Sequence, residues 1–311
     1  MDGMTSLSLI GASEWNARME RTLKAPIGCV GVGLHTGQSV RVTLRPAPAG
    51  SGITFVRTDL GTSIPARFDN VADTRLCTVV VVGGARVGTI EHLMAALAGL
   101  GVCNAVVEVD GPELPVLDGS AAPWLFLLDC AGLVTQDRAA RVIEILRTVR
   151  VEDGEAFAEL RPGPSDLKLA LSIDFDAPAI GRQALSMTLT EGNFRTGLAD
   201  ARTFALAHEI AGLRAAGLAL GGSLENAIVV DGARVLNPLG LRRADEFVRH
   251  KVLDAVGDLA LAGAALQGRF IGRHSGHTLN NRVLRALFAD QANWRDGTDS
   301  LSAPQTVSIA A

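Results

Sequence analysis

The stretch Val42-Thr43-Leu44-Arg45-Pro46-Ala47-Pro48 returns later in the chain as Ala158-Glu159-Leu160-Arg161-Pro162-Gly163-Pro164. Two further matches follow in the same order. Val71-Ala72-Asp73-Thr74-Arg75 pairs with Leu198-Ala199-Asp200-Ala201-Arg202, and Val81-Val82-Gly83-Gly84-Ala85-Arg86-Val87 with Val229-Val230-Asp231-Gly232-Ala233-Arg234-Val235. Each match is short, but three in one order are the mark of a duplicated unit. The separation between partners grows from the second match to the third, so the later copy carries an insertion between Phe204 and Ile228. The chain reads as two copies of one α+β unit, 20–138 and 139–295, meeting near Gln136-Asp137-Arg138, with the insertion at about 204–228.

Each copy opens strand-rich. Val40, Val42 and Leu44 alternate with polar residues, as do residues of Ala170–Phe175, which is the pattern of strands with one buried face. Each copy closes with two helices. They are expected at about Ile90–Leu100 and Ala121–Ala131, ended by Gly101 and Gly132, and at about Asp245–Leu261 and Thr278–Ala289. Strands followed by helices, rather than strict alternation, place the fold in the α+β class. In the insertion, Leu206, Ile210 and Leu213 fall at one-turn spacing and Gly217, Gly221 and Gly222 break the pattern, giving a short helix flanked by strands, a βαβ-type piece. The polar residues from Arg295 onward, and 296–311 as a block, are expected to be a disordered tail.

Composition limits the partners. A chain of 311 residues with 48% hydrophobic and 20% charged residues is globular, not disordered or fibrous. Its 29 basic and 33 acidic side chains give a net charge of −4, which excludes a coat for nucleic acid, and the absence of Tyr leaves little for stacking on single strands. The four cysteines, Cys29, Cys77, Cys103 and Cys130, form no C-x-x-C pair and are expected as buried free thiols in a reducing cytoplasm. Met1 to Asn16 lacks a basic leader and no apolar run reaches the ~18 residues of a membrane span, so neither a signal peptide nor a transmembrane segment is expected.

Three settings among the six histidines bear on chemistry. Glu246, His250, Asp254 and Asp258 are spaced by four and share one helical stripe, where an imidazole and a carboxylate one turn apart can reach one ion. From spacing alone, a solvated helix face is the stronger reading. In Thr89-Ile90-Glu91-His92, Thr89 is expected to cap a helix, and the Glu-His pair matches a metal ligand beside a general base. The third is His274-Ser275-Gly276-His277-Thr278, ahead of the last helix. The repeat puts His92 and His250 at equivalent positions in their copies, so two copies facing each other about a pseudo-twofold axis would bring these distant residues together. His92, His250 and Asp254 would leave an open coordination position suited to Zn²⁺ or to Fe(II). Glu91, able to take a proton from water, favours hydrolysis. Arg242, Arg243, Arg249, Lys251, Arg269 and Arg273 form a basic set suited to a diphosphate or to solvated surface.

At these residues the chain resembles the UDP-3-O-acyl-N-acetylglucosamine deacetylases, zinc amidases of lipid A biosynthesis. The resemblance is carried by Gly31-Val32-Gly33-Leu34-His35-Thr36-Gly37, Thr89-Ile90-Glu91-His92-Leu93, Asp118-Gly119-Ser120-Ala121-Ala122-Pro123, Ala201-Arg202-Thr203-Phe204, Gly221-Gly222-Ser223, Asp245-Glu246-Phe247-Val248-Arg249-His250-Lys251, Leu253-Asp254-Ala255-Val256-Gly257-Asp258-Leu259 and Ser275-Gly276-His277-Thr278-Leu279-Asn280-Asn281. It implies two similar domains with their helices sandwiched between two sheets. It implies Zn²⁺ on His92, His250 and Asp254, with Fe²⁺ as the alternative ion, and Glu91 as general base. His277 would be the acid or electrostatic partner and Thr203 the oxyanion donor. Lys251 and Asp258 would support the site or touch substrate, Phe204 would line the sugar-nucleotide site, and the insertion would form an acyl passage. The implied partner is an acylated UDP-sugar, met by a cytoplasmic monomer with at most transient contact to a membrane surface. Two departures stand out: His274, where the family often has a basic residue, and Ala219, where a bulkier one is common. An Fe(II) oxygenase on the same ligands and a non-catalytic sugar-nucleotide or lipid-binding protein are the alternatives.

Overall fold

In Ser39–Pro46 the side chains of Val40, Val42 and Leu44 are buried and those between them are not. A computed structural model, which describes residues 19–164 and 166–297, makes this the second strand of a five-stranded sheet. The order is Ile27–Val32, Ser39–Pro46, Ala105–Val109, Ile53–Arg57, Thr62–Pro65. The later half builds the same sheet from Val149–Asp153, Ala156–Arg161, Arg269–Arg273, Lys168–Asp174 and Arg182–Thr188. In both, the central strand is antiparallel to the second and parallel to the fourth. The first sequence match lies in the second strand of each sheet.

Six helices are described: α1 (Glu91–Gly99), α2 (Ala122–Ala131), α3 (Glu191–Gly197), α4 (Ala207–Ala215), α5 (Glu246–Ala260) and α6 (His277–Phe288). Helix α2 packs on Ile27–Val32, α5 on Lys168–Asp174 and Arg182–Thr188, and α6 on Val149–Asp153 and Ala156–Arg161. Helices α1 and α5 pack on each other, so a helical layer lies between the two sheets. Leu93, Met94, Leu97, Val252, Leu253, Val256 and Leu259 are all buried in it, worth roughly 1.5–3 kcal/mol for each large side chain. Gly257 permits the crossing. A Cβ there would stand 2.0 Å from the carbonyl oxygen of Glu91.

Two smaller sheets repeat with one difference. Val71–Asp73, Val79–Val82 and Ala85–Val87 are antiparallel throughout. Their counterparts are Phe204–Leu206, Ile228–Asp231 and Arg234–Val235, whose first pair is parallel. Parallel neighbours need a crossover, and α4 within the insertion supplies it. The third sequence match forms the hairpin of both sheets, turning on Gly83 and Gly84 (φ +57° and +84°) and on Gly232 (φ +58°), a region open to glycine.

Met19–Leu23 pairs with Leu133–Ala139, and Val142–Ile145 lies between Ala265–Gln267 and Trp294–Asp296. Three expectations need correction. Arg295 and Asp296 belong to a paired strand rather than to the tail, whose residues 298–311 lie outside the described part. Cys130 is exposed and Cys29 and Cys103 are half-buried, so only Cys77 is a buried thiol. Thr89 does not cap α1: it takes φ +55°, and its hydroxyl donates to Glu113 Oε1 at 2.8 Å. Among the described residues no helix is long and apolar enough to cross a membrane.

Candidate metal centre

The first turn of α1 and the second turn of α5 bring His92 and His250 together, their ring centroids 5.0 Å apart. Asp254, one turn beyond His250, places Oδ1 3.3 Å from His250 Nε2 and 3.8 Å from His92 Nε2. Ligand atoms of all three lie within 4.8 Å of one another. The solvated-face reading of α5 fails here, because Glu246, His250, Asp254 and Asp258 are each at most 2% exposed. Glu246 is closed over by Arg202 and Arg242, Asp254 faces His92 of α1, and Asp258 is held by Thr78 and by His277 and Asn280 of α6, none of which spacing along α5 can reveal.

The donors are ready for a cation. His250 Nδ1 lies 3.0 Å from the Ala201 carbonyl, to which it donates, leaving the Nε2 lone pair facing the group. Burial, helped by the neighbouring His250, pushes His92 down to about 3, and burial also lowers His250. Burial opposes the Asp254 charge, but the neighbouring Lys251 ammonium outweighs it and holds the carboxyl well below the usual range. Asp254 Oδ2 accepts from Lys251 Nζ at 3.0 Å, while Oδ1 is buried with no hydrogen-bond partner. Two neutral imidazoles and an orphaned carboxylate oxygen fit a divalent ion.

Glu91 opens α1 beside His92. Its Oε2 accepts from the Thr78 backbone N–H at 3.0 Å, and burial, with Asp254 and Asp258 nearby, raises it to about 7 against the pull of His277. His277 Nε2 is 3.9 Å from Glu91 Oε1. Asp258 Oδ2 accepts from His277 Nδ1 at 2.8 Å and from Asn280 at 2.9 Å, and Oδ1 from Thr78 Oγ1 at 2.6 Å. Burial disfavours charge on His277, but Asp258 and Glu91 outweigh it and raise its pKa to about 10. The pocket thus holds a carboxyl poised near neutrality facing an imidazolium.

The remaining expected residues border this centre. Thr203 donates its N–H to Gly119 O at 2.8 Å, and the Phe204 ring lies 6.4 Å from His250. Lys251 Nζ is 5.7 Å from the Phe204 ring centroid. Phe204, Thr203, Ile210, Leu213, Ala219 and Leu224 line a cavity of about 340 Å³, whereas Leu206 packs in a core cluster. A second cavity of about 490 Å³ adjoins it, with His35 and Leu76 in both walls. Five of the six basic residues are engaged in ion pairs, and the sixth, Arg269, is exposed on its strand. Arg242 pairs with Asp118, Arg243 with Asp200, Arg249 with Asp245, Lys251 with Asp254 and Arg273 with Glu155. The sequence reading missed Thr78 and Glu113, which stand in stretches resembling ordinary strand and turn.

A histidine pair and a carboxylate beside a carboxyl of raised pKa are an arrangement suited to metal-dependent hydrolysis. The sequence model of the UDP-3-O-acyl N-acetylglycosamine deacetylases (LpxC) matches residues 20–289. The UDP-3-O-acyl-N-acetylglucosamine deacetylase of Phenylobacterium zucineum is 54% identical over 280 residues, 89% of this chain and 95% of the relative. That of Shewanella loihica is 50% identical (88% and 91%), and that of Shewanella woodyi 49% (88% and 92%). The chain belongs to this deacetylase family and is an amidohydrolase. The oxygenase alternative finds no support.

Proposed function

We propose that the chain hydrolyses the acetamide of a UDP-3-O-acyl-N-acetylglucosamine, giving acetate and the free amine on the UDP-sugar, the committed step of lipid A assembly. The observation that carries this is the buried meeting of His92, His250 and the orphaned Asp254 oxygen beside Glu91. Zn²⁺ held there would supply Lewis acidity at the carbonyl and a water acidified towards neutrality. Glu91 accepts the proton of the attacking water, a task suited to a carboxyl that burial raises above the usual range. His277, cationic beside Asp258, offers charge to the developing oxyanion, and Thr203 offers its hydroxyl. As the C–N bond breaks, the amine takes a proton from His277 or from Glu91, and acetate leaves. Lys251 and Asp258 hold Asp254 and His277 in place, and Phe204 flanks the sugar.

The apolar cavity under α4 supports a passage for the 3-O-acyl chain. The repeated sheets support a division into domains 20–138 and 139–295. We place the enzyme in the cytoplasm as a monomer, touching a membrane surface only in passing. The test is acetate release from a UDP-3-O-acyl-N-acetylglucosamine, with and without chelator. Release that stops with chelator and returns with Zn²⁺ is expected. Binding without release, or release indifferent to chelator, would sink the reading.

A further inference from the structure

Glu113 carries no role in the reaction described above, yet it is 4% exposed and fully engaged. Its Oε1 accepts from the His35 backbone N–H at 2.9 Å and from Thr89 Oγ1 at 2.8 Å, and its Oε2 from the Thr36 N–H at 2.9 Å. The backbone on either side is also tied. Gly88 N–H donates to Pro112 O at 2.9 Å, Leu114 N–H to Gly88 O at 3.0 Å, and Val116 N–H to Val32 O at 3.0 Å. Gly33 leaves room for the carboxylate, since a Cβ there would stand 2.5 Å from Glu113 Oε2.

Thr89 is the residue under strain. It is β-branched at φ +55°, a conformation such side chains adopt only when neighbours impose it. Two residues later come Glu91 and then His92, and the α1 N-terminus has no side-chain cap of its own. The bond from Thr89 to Glu113 is the side-chain tie that immediately precedes this first turn. The same carboxylate pins the loop bearing His35, a residue that lines both cavities.

We infer that Glu113 is a positioning residue: by holding Thr89 left-handed it aims Glu91 and His92 at the centre shared with α5, and it fixes the His35 loop against the same turn. The inference rests on the functional reading above for its activity readout. A misaim of about 1 Å at a reacting group costs on the order of 100-fold in rate.

The test is a double-mutant cycle on the full chain, with acetate release and Zn²⁺ affinity of the metal-free protein both measured. Glu113→Gln is expected to lower kcat by about 10- to 100-fold with KM within about threefold, and to weaken Zn²⁺ binding. Glycine adopts φ near +55° without strain, so in the Thr89→Gly background Glu113→Gln should cost severalfold less in kcat than in the parent, the remainder reporting its hold on the His35 loop. Equal losses in both backgrounds, or a Glu113→Gln enzyme within twofold of the parent in kcat and Zn²⁺ affinity, would overturn the inference. Should Glu113→Gln not fold, Thr89→Val, which exchanges the hydroxyl for a methyl of similar size, carries the same prediction, and parental activity in that variant overturns it. No acetate release from the parent enzyme would instead refute the functional reading, leaving the Zn²⁺ titrations to judge Glu113.

Discussion

Asp258 keeps His277 charged: Oδ2 lies 2.8 Å from Nδ1, and the imidazole is raised to about 10. The proton stays on across neutral pH and comes off only as pH climbs through that value. If His277 acts as the cation, kcat/KM should fall on its basic side at or below about 10, since a bound cation would also lower the imidazolium. On the acid side it should fall as Glu91 is protonated, at or below about 7, since a bound cation would pull that carboxyl down. Asp258→Asn should move the basic limb down by about one unit or more and slow the enzyme by roughly 10–100-fold. A basic limb unmoved in that variant removes His277 from the role. Stability follows the same sign. The Asp258 pairing contributes in full below the ordinary histidine value and is lost as pH rises towards 10.

Metal removal should be visible without substrate. The buried triad has an orphaned carboxylate oxygen and two neutral imidazoles, so a ligand that binds only the folded state will stabilise it. Zn²⁺ at about 100 times its Kd should add about 2.7 kcal/mol, read as a higher Tm in a thermal melt of the metal-free protein. Asp254→Asn should abolish most of the shift. A Tm indifferent to Zn²⁺ in the parent would mean that the group does not hold the ion.

Much of this architecture was legible in the sequence because duplication writes itself twice. The Val42 and Ala158 stretches fall in equivalent strands, and the Val81 and Val229 stretches in equivalent hairpins. Equivalence of His92 and His250 carried the meeting of the two rings. What stayed hidden depends on the other half of the chain. The α5 stripe reads as solvated until α1, α6 and the Arg202 segment close over it. Glu113, in Gly111-Pro112-Glu113-Leu114-Pro115, reads as a surface turn because its three donors come from two distant loops. Thr89 has the residue type of a cap but the dihedral of a strained turn, and only the fold decides between them. Helix α3 also escaped, though Thr190 accepts from Asn193 N–H at 3.1 Å as a cap should.

The α1–α5 crossing can be tested at its tightest point. Gly257→Ala would put a methyl 2.0 Å from the Glu91 carbonyl oxygen, a rigid backbone atom. The helices must part, and Glu91 and His92 move with α1. A stability loss of about 1–3 kcal/mol is expected from denaturant unfolding, with a loss of acetate release larger than any rise in KM. An alanine variant equal to the parent in both measures would show that the crossing has slack.

The ion pair of Arg202 with Glu246 links folding to the metal centre. Glu246, 0% exposed, accepts from Arg202 Nε at 2.8 Å and from the Arg202 and Arg242 backbone N–H groups at 3.1 Å and 2.6 Å. The pair therefore fastens Ala201-Arg202-Thr203 to the start of α5, one turn before His250, whose Nδ1 binds the Ala201 carbonyl. Arg202→Met leaves a buried carboxylate without its counter-charge and should cost about 3–5 kcal/mol in unfolding experiments. It should also loosen the carbonyl that sets the His250 tautomer, weakening Zn²⁺ by about 10- to 100-fold in a competition titration. Arg202→Lys keeps the charge but not the fork, so it should fall between parent and Arg202→Met in both measures. If stability falls along this series while Zn²⁺ affinity holds constant, the pair only braces the fold, and His250 is oriented by something else.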